Sequence, residues 1–220
     1  MLSETMDLFF IPEPVILGQF VIACVVLAIT PGPDMTLFLA RALSQGRLAG
    51  LACMSGALSG IIVHTSMVAL GLSALIIAAP AAFTTLRIVG AGYLIWLAID
   101  ALRNGSSLSL RPESRKQLGF WRNYLTGLGI NLLNPKIILF FMTFLPQFVR
   151  VTDPHAAAKL FFLGVLFIVV SVPIVVPMIL MAERLSSFLS RQPKVTRLID
   201  YLFAGVFSAF AAKIILTRIN

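Results

Sequence analysis

Long apolar runs separated by short charged stretches organise the chain. From Pro14 to Ala40 the one charged residue is Asp34, and from Leu48 to Leu86 there is none. The second stretch is too long for one membrane helix, which needs about 20 apolar residues to cross a hydrocarbon core ~30 Å thick. Pro80, in Ala79-Pro80-Ala81, supplies a turn there, so one helix ends near Ala78 and the next covers about Ala82 to Leu102. Arg103 to Arg122 is polar and basic and lies at the middle of the chain. Asn123 to Val149 follows with Lys136 as its one charge, then Leu160 to Ala182, then Leu198 to Thr217 with Lys213 near enough to its end to snorkel. This pattern predicts an all-α polytopic membrane protein of six transmembrane helices. It reads as a single transmembrane domain over residues 1–220, with a three-helix unit at about 14–102, a cytoplasmic loop at about 103–122 and a second three-helix unit at about 123–217.

Composition strengthens the pattern. The chain is 59% apolar and 12% charged, with a mean hydropathy of +0.97. A soluble domain carries roughly a quarter charged residues, so a water-soluble globule, a disordered chain and a collagen-like rod are all excluded. The net charge of +8 would point to nucleic acid on a soluble protein. Here the basic residues cluster in loops between apolar runs, as in cytoplasmic loops, and no nucleic-acid partner is expected. With the N-terminus outside, eleven Lys and Arg fall in inner loops and five on the outer side. The positive-inside rule then predicts a multi-pass protein with both termini in the periplasm, if the membrane is a bacterial inner membrane. The first 13 residues carry Glu4, Asp7 and Glu13 and no basic residue, which is unlike a secretion signal, so the first run is expected to stay as a permanent span.

The two halves resemble each other. Pro33-Asp34-Met35-Thr36-Leu37-Phe38 matches Pro135-Lys136-Ile137-Ile138-Leu139-Phe140 at Pro, Leu and Phe, with an offset of 102 residues. Each hexapeptide lies in the first span of its half. Units with an odd number of spans insert upside-down relative to one another, so the halves form two inverted three-helix repeats of the kind found in secondary transporters.

Two segments carry the candidate chemistry. In Thr30-Pro31-Gly32-Pro33-Asp34, two prolines flank a glycine and interrupt helix 1. Such backbone is tolerated in a bilayer only where protein or a water-filled cavity satisfies it. A half-helix starting at Pro33 turns its positive dipole end toward the gap, where a carboxylate can bind. Asp34 can equally cap that end or accept an ammonium group. In Asn131-Leu132-Leu133-Asn134-Pro135-Lys136, Pro135 breaks helix 4, and Asn131 and Asn134 can bond freed backbone groups or a polar ligand. Lys136 is central in its run, where a charge costs at least ~2.5 kcal/mol. It therefore calls for an acidic partner or an anionic ligand. An Asp34–Lys136 ion pair that only joins the repeats is the plain structural alternative. A straight first helix would carry Asp34 ~30 Å from Val15, so Asp34 reaches the membrane interior only if that span is shifted or unwound.

Other residues have modest readings. Gly50, Gly56 and Gly60 suggest close helix packing, with a broken helix as a candidate neighbour, since small residues let backbones approach. His64 can relay protons or simply bond a neighbouring helix. Gln147 reads as an interfacial cap, Tyr93, Trp96 and Trp121 as interface or packing aromatics, and Cys24 and Cys53 as small packing residues. With His64 and His155 the only histidines and no CxxC, no metal site is expected. There is no P-loop, no GxSxG and no HExxH, so neither ATP coupling nor these hydrolytic chemistries are indicated.

At Ile29-Thr30-Pro31-Gly32-Pro33-Asp34, at the Gly90–Leu97 run, and at Asn131–Lys136 leading to Phe144-Leu145-Pro146-Gln147-Phe148, the sequence resembles the lysine exporter / homoserine-threonine exporter family (LysE/RhtB) of bacterial amino-acid efflux proteins. Length and six-span layout are similar as well. The resemblance implies export of amino acids or close derivatives driven by the proton motive force, with no enzymatic activity and no cofactor. The expected partners are a small amino-acid substrate, protons and lipid, with a homodimer compatible. The expected site is Thr30, Pro31, Gly32, Pro33, Asp34, Asn131, Asn134, Pro135 and Lys136, with His64 as a candidate proton relay. A metal-cation or other small-solute exporter of the same architecture is the alternative, and it predicts a richer set of acidic, His or Cys ligands within the spans.

Overall fold

A computed structural model describes residues 11–30, 32–72, 117–149 and 153–216, together with single positions between 85 and 103. Prolines and glycines set the boundaries. Helix α1 runs Pro14–Ile29 with proline in its first turn, where the missing N–H costs nothing. Thr30 and Gly32 are extended, and α2 restarts at Pro33 and continues to Gln45. Gly46, at φ +90°, provides the left-handed turn into α3, Arg47–Met67, which continues as a π-helical turn over Val68–Leu72. In the second half, α4 runs Phe120–Leu133, and Asn134 breaks it. Helix α5, Pro135–Leu139, continues through a π-helical turn, Phe140–Phe144, and a 3₁₀ turn, Leu145–Phe148. Helices α6 (Ala156–Leu180), α7 (Ala182–Arg191) and α8 (Pro193–Leu216) complete the described chain.

These elements follow the apolar runs. Among the described residues, α3 with its π turn and α6 are each 25 residues long, roughly 37 Å, and apolar enough to cross a bilayer. The α1–α2 pair bends by 48° at its break and the α4–α5 pair by 52°, and each pair is long and apolar enough to make one broken span. The described positions between 85 and 103 are all helical, as the predicted third span requires. The Pro80 turn, Tyr93, most of the Gly90–Leu97 run, the central loop over 104–116 and the Lys213 side chain lie outside the described residues. Helix α7 departs from expectation, being a short charged helix where the charge pattern reads as loop. Asp153 precedes α6, accepting a hydrogen bond from the His155 amide (2.8 Å) and pairing with Lys159, whose ammonium holds its carboxyl below the usual carboxylate range.

Helix α3 is the hub, packing along α2, α4 and α6. Its glycines explain the closeness. A methyl at Gly56 would collide with the Tyr124 carbonyl, and one at Gly127 of α4 would collide with the Cys53 carbonyl. The two backbones thus meet through reciprocal glycines, as the small-residue pattern predicts. Gly50 sits against the Phe38 carbonyl of α2, and Gly164 lets α6 approach Thr65. Two apolar clusters result. One joins Phe20, Cys24 and Leu27 of α1 to the Phe140–Phe148 aromatics and to Leu160, Leu163 and Phe167 of α6. The other joins Met35, Phe38 and Leu39 of α2 to Cys53, Met54 and Ala57 of α3 and Ile179 of α6. Cys24 and Cys53 are free and buried within these clusters, as packing residues.

Candidate functional site

A cavity of about 70 Å³ lies between the two clusters. A single water needs about 10–15 Å³ by the same measure, so the space exceeds one water. Its polar lining is Thr30, Asp34, Asn131, Lys136 and Ser171. Leu27, Met35, Phe38, Met54, Ile61 and Phe167 are among its apolar walls.

Both helix breaks deliver groups to this cavity. In a continuous helix the Thr30 carbonyl would accept the Asp34 amide. Here it is released, and it accepts a 3.1 Å hydrogen bond from Lys136 Nζ. The Thr30 hydroxyl donates back to the Val26 carbonyl at 2.6 Å, which fixes the end of α1. Gly32 leaves room for this approach, since a Cβ there would lie 2.9 Å from the flexible end of Lys136 at Nζ. Pro33 opens α2, placing Asp34 in its first turn, where the helix dipole favours an anion. Asp34 Oδ2 accepts from Asn131 Nδ2 at 2.7 Å. Asn134 Oδ1 accepts the Lys136 amide at 3.0 Å and so caps α5. Pro135 supplies the first residue of α5 and sends the Lys136 side chain across to the first break.

The expected site residues are thus brought into one region, with different positions. Thr30, Asp34, Asn131 and Lys136 line the cavity. Gly32, Pro33, Asn134 and Pro135 shape the breaks behind it, and Pro31 lies outside the described residues. His64 is buried on α3 with Nε2 3.4 Å from the Asn131 carbonyl, so it stands behind the asparagine that holds Asp34. Gly60 makes room for this, because a methyl there would strike the Asn131 amide. Gln147 donates to the Thr143 carbonyl at 2.7 Å within its own segment.

Lys136 is only 9% exposed, yet its ammonium meets a carbonyl and not a carboxylate. Asp34 and Lys136 form no ion pair within 4.0 Å. Asp34 Oδ1, Asn131 Oδ1 and Ser171 Oγ are buried without a partner. An unsatisfied buried polar atom costs about 1–3 kcal/mol, so these groups together describe a site with open hydrogen-bonding capacity. Among the described residues no group of three or more His, Cys, Asp and Glu side chains is placed to hold a metal ion. Ser171 is the polar lining residue that the sequence did not flag. A serine in an apolar run looks like packing, and only the neighbouring Pro173 and Pro177 hint at a special segment.

Comparisons with known proteins find relatives over most of the chain. The homoserine/homoserine lactone efflux protein of Salmonella typhimurium is 28% identical over 193 residues, covering 88% of this chain and 92% of the relative. The leucine efflux protein of Salmonella choleraesuis is 25% identical over 195 residues, covering 89% and 92%. A membrane protein of Vibrio cholerae is 28% identical over 190 residues, covering 86% and 90%. No solved structure matches the chain. The family model described as LysE type translocator matches residues 25–218, and its members are membrane transporters, not enzymes. An apolar helical chain with two interrupted spans, matched to that model over nearly its whole length, belongs to the LysE type translocator family.

Proposed function

We propose that the protein is a secondary exporter of amino acids or close derivatives in the bacterial inner membrane, driven by the proton motive force. The observation that carries this reading is the placement of Asp34 and Lys136, one from each broken helix, on the wall of one cavity without pairing to each other. A zwitterionic solute complements such a wall. Its ammonium meets Asp34 Oδ1, and its carboxylate meets Lys136 and displaces the Thr30 carbonyl as the partner of Nζ. Homoserine and leucine, named as cargo of two relatives, are zwitterions of this kind, whereas homoserine lactone, also named, keeps the amine and has an ester carbonyl in place of the carboxylate.

The coupling step uses the same carboxylate. Protonation of Asp34 from the outer side removes the charge that holds the substrate ammonium and permits release. Asn131 stands between Asp34 and His64, donating to the carboxylate from its side chain and facing His64 Nε2 with its backbone carbonyl, and His64 is the candidate proton relay near the site. Two three-helix units in inverted orientation, with both termini periplasmic, would rock about the breaks, so that the two apolar clusters close alternately above and below the cavity.

Asp34→Asn and Lys136→Ala, each shown to be expressed and inserted, are expected to abolish efflux of a radiolabelled amino acid from proteoliposomes. Unimpaired transport by both would reject the assignment.

A further inference from the structure

The charged end of the cavity comes from the two breaks, but α6 forms another wall with Phe167, Ser171, Val172 and Val175. Ser171 is 6% exposed and its hydroxyl has no partner. That is unusual in this molecule. The hydroxyls of Thr30, Ser44, Ser55, Ser59, Thr65 and Thr143 all bond back to the carbonyl four residues earlier. Backbone carbonyls in the preceding turn satisfy a helical serine or threonine at no cost to packing. Thr36 is the other buried hydroxyl lacking a partner, and it does not line the cavity. Ser171 is therefore the one described hydroxyl that is both unsatisfied and on the wall of the site.

The surroundings restrict what can satisfy it. Its neighbours on α6 along the cavity are apolar, and the walls from α2 and α3 include Met35, Phe38, Met54 and Ala57, with Asp34 the charged lining residue from α2. Pro173 and Pro177 stand in the same segment, and each removes an amide that would otherwise close the helix four residues back. On the α6 wall, where the other lining side chains are apolar, one free hydroxyl distinguishes a solute oxygen from a methyl group of the same size.

We propose that Ser171 is a specificity-determining residue whose hydroxyl hydrogen-bonds an oxygen, hydroxyl or carbonyl, on a short substrate side chain, favouring such amino acids over aliphatic isosteres. This rests on the amino-acid export reading. Loss of one such hydrogen bond in a buried site changes relative affinity by roughly 3- to 10-fold.

The test uses the full chain in proteoliposomes, with threonine against valine and homoserine against norvaline, each pair differing by hydroxyl for methyl. The wild type is expected to prefer the hydroxylated member. Ser171→Ala is expected to lower that preference roughly 3- to 10-fold through KM, while valine and norvaline transport is kept or improved, and Ser171→Thr is expected to restore it. The ratio is internal to each variant and so does not depend on yield. Should Ser171→Ala fail to fold, Ser171→Cys, a weaker donor of similar size, is expected to show a reduced ratio. An unchanged ratio in the alanine or cysteine variant, or a wild-type preference for the aliphatic members, overturns the role of Ser171 and leaves export standing. A wild type that moves none of a full amino-acid panel overturns the export reading itself.

Discussion

Replacing Lys136 by methionine separates two accounts of the buried ammonium. Methionine keeps the straight stem and its packing, and it removes only the charge. Removing a lysine charge from a membrane interior recovers about 2.5–3.5 kcal/mol on insertion scales. The hydrogen bond from Nζ to the Thr30 carbonyl is lost at the same time, and a charged hydrogen bond contributes about 1.5–3 kcal/mol. The difference runs from a loss of about 0.5 to a gain of about 2 kcal/mol, so the variant should be as stable as the wild type or more so. If instead the lysine were half of a structural ion pair with Asp34, breaking it would cost about 3–5 kcal/mol. The protein carries its own reporter for this. Cys24 and Cys53 are free and fully buried, so a thiol-reactive dye reads unfolding on heating. The expected result is an unchanged or raised midpoint together with loss of efflux. A midpoint lowered by the equivalent of a broken ion pair, or retained transport, would refute the argument that the ammonium is kept for its ligand.

Three further outcomes follow from the geometry. Gly32→Ala places a Cβ 2.9 Å from Lys136 Nζ, so the flexible ammonium end must give way and its bond to the Thr30 carbonyl weakens; efflux should fall while the melting midpoint changes little. Asn131→Leu deletes the 2.7 Å donor to Asp34, and a charged hydrogen bond of about 1.5–3 kcal/mol corresponds to an efflux rate lower by roughly 10- to 100-fold, read in proteoliposomes. Gly56→Leu forces α3 off the α4 backbone at Tyr124, and overpacking of this kind costs about 1–3 kcal/mol or more, visible as a lower midpoint in the thiol-dye assay.

Hydropathy and proline chemistry determined a good deal without any coordinates. The runs from Pro14 and from Asn123 read as interrupted spans, and the helices restart at Pro33 and Pro135. A break of this sort is local covalent geometry: a ring without an N–H, beside glycine or a capping asparagine, cannot continue the ladder. Proline alone was a poorer guide, since α6 stays helical through Pro173 and Pro177. Helix α7 was hidden because its charges outweigh its apolar spacing in a hydropathy reading, although Leu185 and Phe188 fall three residues apart on it.

Partnerships within the cavity were decided by tertiary packing. The isolated charges Asp34 and Lys136 were visible in the sequence, with a direct ion pair as the alternative to a ligand site, but their actual partners were not. The fold gives Lys136 the Thr30 carbonyl, 106 residues away in the chain, and gives Asp34 the Asn131 amide, 97 residues away. Those choices depend on how closely the helices approach, as α3 and α4 do through the facing glycines Gly56 and Gly127. Local backbone rules act between neighbours in sequence, whereas a hydrogen bond across a cavity depends on distances that only the packed helices set.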